Sequence, residues 1–201
     1  MPASHFEAIL FDLGGVLVQI RGLDTVQAWT NWDRDELWRR WLASPAVRQF
    51  ESGRISFEQF GQELVDEFSL PVDARQFLDN FAQWPEGQFP GAEKLLDTLA
   101  PTYQLGCLSN TNAFHWDLMV EDMGFFKLFD YTFPSHQTGF LKPDVEAFEH
   151  AAAEMKLPPD QVLFLDDNLV NVEGARKMGM EAYQVHGAQG AQVKLAQLGL
   201  L

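Results

Sequence analysis

Glu7-Ala-Ile-Leu-Phe-Asp12 is an apolar run closed by an acid, and Gly14 and Gly15 follow almost at once. A short apolar run bounded by glycine is the pattern of a strand buried on both faces, as in a parallel sheet. It sets the Asp12 carboxylate at the C-terminal tip of that strand. Two later runs repeat the pattern. Tyr103-Gln-Leu-Gly-Cys-Leu-Ser109 ends on Ser109-Asn110, and Gln161-Val-Leu-Phe-Leu-Asp166 ends on Asp166-Asp167. Helical spacing at Ala92–Leu99, Val145–Met155 and 170–178 separates and follows these runs. A further strand is expected at 181–185 and a terminal helix over 187–201. Alternating strands and helices predict an α/β core with a parallel sheet and helices on both faces. Ligands of such sheets gather at the carboxyl ends of the strands, and three strands here end in polar residues able to do chemistry.

The stretch from about Arg21 to Trp84 has a different texture. Its apolar residues fall at helical spacing: Trp29 and Trp32, Trp38 and Trp41, then Phe57, Phe60, Leu64 and Phe68 on one helix face. Ser56 followed by Gln59 fits a capping box at a helix start. Pro85, Gly87, Pro90 and Gly91 mark the return to the core as a turn-rich segment. The expected organisation is a Rossmann-like core of residues 1–20 and 86–201, with 21–85 as an all-helical insert after the first strand.

The 201 residues suit one such core with a small insert, and a chain of this length buries a core without covalent staples. The single cysteine, Cys107, excludes an internal disulfide and a Cys-rich zinc module. The Met1 to Phe11 stretch lacks the basic start and long apolar run of a signal peptide, and no stretch approaches a membrane span of about 18 apolar residues. A soluble cytoplasmic protein is the default expectation, with no membrane partner. A net charge of -15 repels phosphate backbones, so no nucleic-acid partner is expected either. Oligomeric state is not legible.

Taken singly, the polar tips are ambiguous. Asp12 before Gly-Gly suits a nucleophile or a metal ligand, and equally an Asp that starts a turn. Ser109-Asn110-Thr111-Asn112 could hold a phosphate at a helix start or simply cap that helix. Lys142, fixed before Pro143, could neutralise developing negative charge or lie exposed. Asp166 and Asp167 repel one another unless a cation joins them, and Mg²⁺ suits such oxygen donors; the plain alternative is a solvated turn.

Order and placement together are more specific than any one of these. Phe11-Asp-Leu-Gly-Gly-Val-Leu17, Leu108-Ser-Asn-Thr-Asn112, Gly139-Phe-Leu-Lys-Pro-Asp144 and Phe164-Leu-Asp-Asp-Asn168 resemble the four motifs of the haloacid dehalogenase superfamily. The resemblance runs over essentially the whole chain, and the insert is similar to the family's helical cap. Within the family, Asp-Leu-Gly, Ser-Asn-Thr-Asn and Asp-Asp-Asn look most similar to a branch of sugar-phosphate phosphatases. That branch includes α-D-glucose-1-phosphate phosphatases and is related to the N-terminal phosphatase domain of soluble epoxide hydrolase. The resemblance implies a Mg²⁺-dependent phosphatase acting on a small phosphorylated substrate. Asp12 would attack phosphorus and form an aspartyl-phosphate. Mg²⁺ would be held by Asp12, the Gly14 carbonyl and Asp167. Ser109 and Asn110 would bond the phosphoryl oxygens, Lys142 would neutralise charge, and Asp166 would anchor Lys142 or a metal-bound water, with Asn171 supporting the loop.

One position departs from the family. Most of its phosphatases carry a second Asp two residues after the nucleophile, which protonates the leaving group and then activates water. Here that position is Gly14, a residue that cannot transfer a proton and that takes φ > 0 if the turn requires it. His115 and His136 are the candidate replacements on sequence, and slow turnover or a preference for good leaving groups is expected. Arg21, Arg48 and Arg54 are candidate substrate contacts from the insert. The tryptophans at 29, 32, 38, 41 and 84 are expected mainly in its core, and Cys107 inside a buried strand. The alternatives are a 2-haloacid dehalogenase using the same Asp nucleophile, a phosphomutase, which needs the absent acid more, and a non-catalytic phosphate-binding module.

Overall fold

A computed structural model describes residues 5–201; the first four residues of the Met1–Phe11 stretch and of the 1–20 segment lie outside the described residues. Five strands form one parallel sheet: β1 (Ala8–Phe11), β4 (Gln104–Ser109), β5 (Tyr131–Pro134), β6 (Val162–Asp166) and β7 (Glu181–Gln184), in the order β5-β4-β1-β6-β7. The chain order switches direction at β1, which lies between β4 and β6, so the crevice at its carboxyl end is the natural ligand site. Register fixes what meets there. Phe11 pairs with Cys107 on one side and with Leu165 on the other. One residue further on, Asp12 therefore comes level with Asp166 and close to Ser109.

Every residue of β1 is fully buried. Ile9 and Phe11 face a core built with α6 (Ala92–Leu99), α7 (Ala113–Asp122) and α11 (Gly187–Gln197). Ala8 and Leu10 face the opposite core, built with α9 (Val145–Met155) and α10 (Leu169–Lys177). This two-sided burial is why the first strand reads as a continuous apolar run. Cys107 is buried in β4, as expected, and burial pushes its thiol up to about 12.

Two features differ from expectation. The turn-rich return holds a strand, β3 (Pro85–Gln88), which pairs antiparallel with β2 (Val18–Ile20) in a two-stranded ribbon carrying the chain into and out of the insert. The short edge strand β5 was also not expected from the sequence. Both are brief and carry proline or glycine, so they give no apolar alternation.

The insert comprises α1 (Leu23–Trp29), α2 (Arg34–Ala43), α3 (Pro45–Glu51), α4 (Phe57–Phe68) and α5 (Ala74–Phe81) around a third apolar cluster. Phe60 and Phe77 are fully buried in it, and Phe50 stacks on Phe60 with ring centroids 4.3 Å apart. Trp29 and Trp32 pack against this core as expected. The capping box proposed at Ser56 is only half present. Ser56 Oγ accepts from the Gln59 N–H, but the Gln59 side chain bonds Glu63 one turn on. The complete box is at Asp73 and Gln76, at the start of α5. Among the described residues, no helix is long and apolar enough to cross a membrane.

Candidate active site

The carboxyl ends of β1, β4 and β6 open into a cavity of about 660 Å³ roofed by the insert. On its floor, Lys142 Nζ donates to Asp12 Oδ1 at 2.6 Å and to Asp166 Oδ2 at 2.7 Å. Lys142 is 2% exposed and Asp166 fully buried. A buried cation between two carboxylates is held only if its surroundings satisfy the remaining lone pairs, and here they do. Asp166 Oδ1 accepts the Asn168 N–H at 2.8 Å, and Asn171 Nδ2 lies 3.1 Å from both Asp166 oxygens. Asp166 thus anchors the lysine, and Asn171 supports Asp166.

Asn110 reaches Lys142 by another route. Its Nδ2 donates to the Lys142 carbonyl and its Oδ1 accepts the Lys142 N–H, each at 2.9 Å. One Nδ2–H and the Oδ1 are occupied in fixing the lysine, which leaves the second Nδ2–H and the backbone N–H as the donors Asn110 could offer a phosphoryl oxygen. Ser109 is nearly buried on the cavity wall, and its hydroxyl bonds none of the described residues. Asn112 caps α7 by accepting the His115 N–H at 3.0 Å. The polar cluster after β4 therefore combines a helix cap with groups that face the cavity.

Burial lifts the Asp12 carboxyl, Lys142 pulls it back, and Asp166 and Asp167 lift it again; the net pKa stands well above the ordinary range. Burial and Asp166 likewise push Asp167 up to about 6, against Lys142 and His186. Burial alone would depress Lys142, but Asp12 and Asp166 reverse that and hold it above the usual lysine value. The lysine stays charged while two facing carboxyls resist ionisation, an arrangement that a divalent cation relieves. Asp12, Asp166 and Asp167 can each offer one oxygen within 4.8 Å of the others. Asp166 is already taken up by Lys142, Asn168 and Asn171, which leaves Asp12 and Asp167. Gly14 lines the same cavity, and its carbonyl accepts no hydrogen bond from the described residues. Two carboxylates and a carbonyl form an oxygen donor set that fits Mg²⁺.

The glycines after Asp12 have distinct jobs. Gly15, not Gly14, carries the positive φ, of 76°. A Cβ there would lie 2.1 Å from Asp167 Oδ2, so the absence of a side chain is what lets Asp167 approach this turn. At Gly14 the backbone is ordinary, and a Cβ would meet only Ile20 Cγ1 at 3.3 Å.

Neither expected stand-in for the absent acid is placed for that task. His115 Nε2 donates to the Phe81 carbonyl at 2.8 Å, which leaves Nδ1 to accept from Asn112 Nδ2 at 3.3 Å. Both ring nitrogens are occupied, and burial lowers its pKa to about 4. His136 is not part of the cavity wall. Of the three arginines, Arg21 and Arg48 line the cavity and Arg54 does not. Trp41 and Trp84 belong to the insert's core and also form the cavity roof, joined there by the exposed Trp38. Two carboxyls on the wall have no signature in the sequence: Asp35, exposed in the first turn of α2, and Glu51, the last residue of α3.

The sequence pattern of the haloacid dehalogenase-like hydrolase family matches residues 6–179, and the chain belongs to that family. It is 29% identical to a D-ribitol-5-phosphate phosphatase of Bacteroides thetaiotaomicron, over 88% of this chain and 90% of that protein. Its fold matches a predicted HAD-like family hydrolase of Porphyromonas gingivalis with a TM-score of 0.77 at 25% identity, covering 97% and 98% of the two chains. A second fold match is a HAD family enzyme of B. thetaiotaomicron solved with magnesium and inorganic phosphate. That match has a TM-score of 0.72 at 22% identity and covers 90% and 94% of the two chains.

Proposed function

We propose that this hydrolase is a Mg²⁺-dependent phosphatase of a small phosphorylated metabolite, with sugar phosphates the first class to test. The observation that carries the reading is the buried Lys142 bridge between Asp12 and Asp166, with Asp167 beside it. A phosphoryl group brings negative charge to this floor, and catalysis of its transfer rests on positioning and charge stabilisation.

In this reading one Asp12 oxygen attacks phosphorus, the bond to the leaving oxygen breaks, and an aspartyl-phosphate forms on Asp12. Water then attacks phosphorus and frees the carboxylate. Lys142 favours the ionised form of Asp12 against the effect of burial and faces the charge that builds on the phosphoryl oxygens. Ser109 Oγ and the Asn110 N–H receive those oxygens, while the Asn110 amide keeps Lys142 in place. Asp166 holds the lysine and takes no part in bond making. Asp12, Asp167 and the Gly14 carbonyl would hold Mg²⁺, which when bound neutralises the phosphoryl group and orients it for in-line attack.

Residues 21–85 act as the cap over a core of 1–20 and 86–201. The cap is tied to the core by Ser135 Oγ to the Glu51 carbonyl at 2.6 Å, by Arg48 to Asp144 at 2.6 Å and by His115 to the Phe81 carbonyl. Its tryptophans and Arg21 and Arg48 shape the pocket for the leaving group. The dehalogenase alternative gives no task to Asp167, whose raised pKa is a cost unless a cation binds.

The test is phosphate release from a panel of phosphorylated metabolites, with Mg²⁺ and with chelator. Mg²⁺-dependent release supports the reading. Halide release from 2-haloacids without phosphate release would replace it.

A further inference from the structure

With a glycine at position 14, the phosphatase reading lacks a proton carrier at its usual place. The cavity wall offers few others. Asp12 and Asp167 face the cation site, both ring nitrogens of His115 are bonded, and Asp35 and His186 are exposed. Glu51 differs from all of these. It is half-buried on the wall, and among the described residues its carboxyl has no hydrogen bond and no ion pair within 4 Å.

Its position is built. The Glu51 carbonyl accepts from Ser135 Oγ at 2.6 Å, and the same hydroxyl accepts the Thr111 N–H at 2.9 Å. Thr111 follows Ser109 and Asn110 directly. One turn earlier on α3, Arg48 pairs with Asp144, two residues after Lys142. The helix that carries Glu51 is thus tied to both loops that carry the phosphate-facing groups. Just past it, Gly53 packs so closely on α8 (Ser135–Thr138) that a Cβ would lie 2.5 Å from the His136 carbonyl.

We propose that the Glu51 carboxyl is the catalytic acid and base of this enzyme, replacing from the cap the side chain that Gly14 lacks. The proposal rests on the phosphatase reading. As Asp12 attacks and the ester P–O bond breaks, the Glu51 proton passes to the leaving oxygen and the alcohol departs. The Glu51 carboxylate then takes a proton from water as that water attacks phosphorus. The Asp12–P bond breaks, inorganic phosphate leaves, and both carboxyl groups return to their starting states.

The surroundings suit both half-reactions. Burial pushes the Glu51 carboxyl up to about 7, with Lys142 and then Arg48 opposing it. A group that titrates near the working pH serves as donor and acceptor in turn. Of the elements packed against α3, α2 brings Arg34 and Asp35 to the cavity wall. From α4, Glu67 caps the far end of α3, and α8 brings His136, which is off the wall.

The experiment plots log kcat/KM against leaving-group pKa for a series of aryl and alkyl phosphates with Mg²⁺, in the wild type and in Glu51→Gln. An aryl leaving group needs little protonation and an alkoxide needs much. Glu51→Gln should lose about 100-fold or more on alkyl phosphates and under about fivefold on p-nitrophenyl phosphate, so its plot steepens. The wild-type fall in kcat/KM for alkyl phosphates above about pH 7 should vanish in the variant. Parallel plots from two active proteins would overturn the Glu51 assignment and leave the phosphatase reading standing. A wild type that releases no phosphate from any ester in the series would overturn both.

Discussion

Lys142 Nζ stands 2.6 Å from Asp12 Oδ1, although 130 positions separate the two residues in the chain. The sheet brings them together. Asp12 follows β1 directly, Asp166 ends the neighbouring β6, and Lys142 enters between them from the loop before α9, where Asn110 grips its backbone.

Removing the lysine would leave two buried carboxyls without their cation. Lys142→Met is expected to cost about 3–5 kcal/mol of stability near neutral pH. The loss should shrink as pH falls, because Asp12, whose carboxyl burial already lifts, then buries itself as a neutral acid. Urea unfolding at pH 7.5 and pH 4.5 measures this. A loss that is equal at both values would mean that packing, not charge, is what the lysine supplies.

Asp167 titrates upward in the fold, so without metal its contribution to stability falls as pH rises from about 4 through about 6. His115, with its lowered pKa, works in the opposite sense over much of the same window. The difference between wild type and Asp167→Asn isolates the carboxylate. The variant should be the more stable protein at pH 7.5 without metal and should show no thermal shift with Mg²⁺. The wild-type shift should grow from pH 4.5 to pH 7.5. An unchanged Mg²⁺ shift in Asp167→Asn would remove this residue from the metal site.

The two glycines of the first turn should respond differently to alanine. Gly15→Ala places a methyl against Asp167 in left-handed backbone, a conformation that costs about 1–2 kcal/mol by itself. It should lower Tm and weaken Mg²⁺ binding at least tenfold. Gly14→Ala needs only a few tenths of an ångström from Ile20 and should keep Mg²⁺ affinity within about threefold, a difference under ~0.7 kcal/mol. Isothermal titration of both variants decides, and equal effects would contradict the assigned geometry.

The sequence shows most of the fold through runs whose burial is two-sided. The helices at Ala92–Leu99 and Val145–Met155 fall where periodicity sets them, and the strands ending at Ser109 and Asp166 end on the expected residues. The β2–β3 ribbon escapes because Pro85 and Gly87 read as turn residues, and their pairing with Val18–Ile20 spans the whole insert. Asp12, Ser109 and Asp166 are legible because each stands at the carboxyl end of an apolar run, and Lys142 is legible through the motif order it shares with the family. Glu51 is not, because it closes a seven-residue helix with nothing local to mark it. Tertiary contacts, among them the bonds from α3 to Ser135 and Asp144, bring it to the cavity wall. Asn110 shows a related limit: its residue type suggests a phosphate ligand, while the partner its amide bonds is the backbone of Lys142.

The central claim is that Asp12 is the nucleophile of a Mg²⁺-dependent phosphatase. Its most direct measurement is phosphate release by Asp12→Asn beside the wild type, with both folds checked by circular dichroism and Mg²⁺ saturating. An amide of nearly the same shape keeps the turn but cannot form the aspartyl-phosphate, so the rate should fall by about 10³-fold or more, or ~4 kcal/mol in barrier. A variant that retains activity within about tenfold of the wild type, ~1.4 kcal/mol, would contradict the claim.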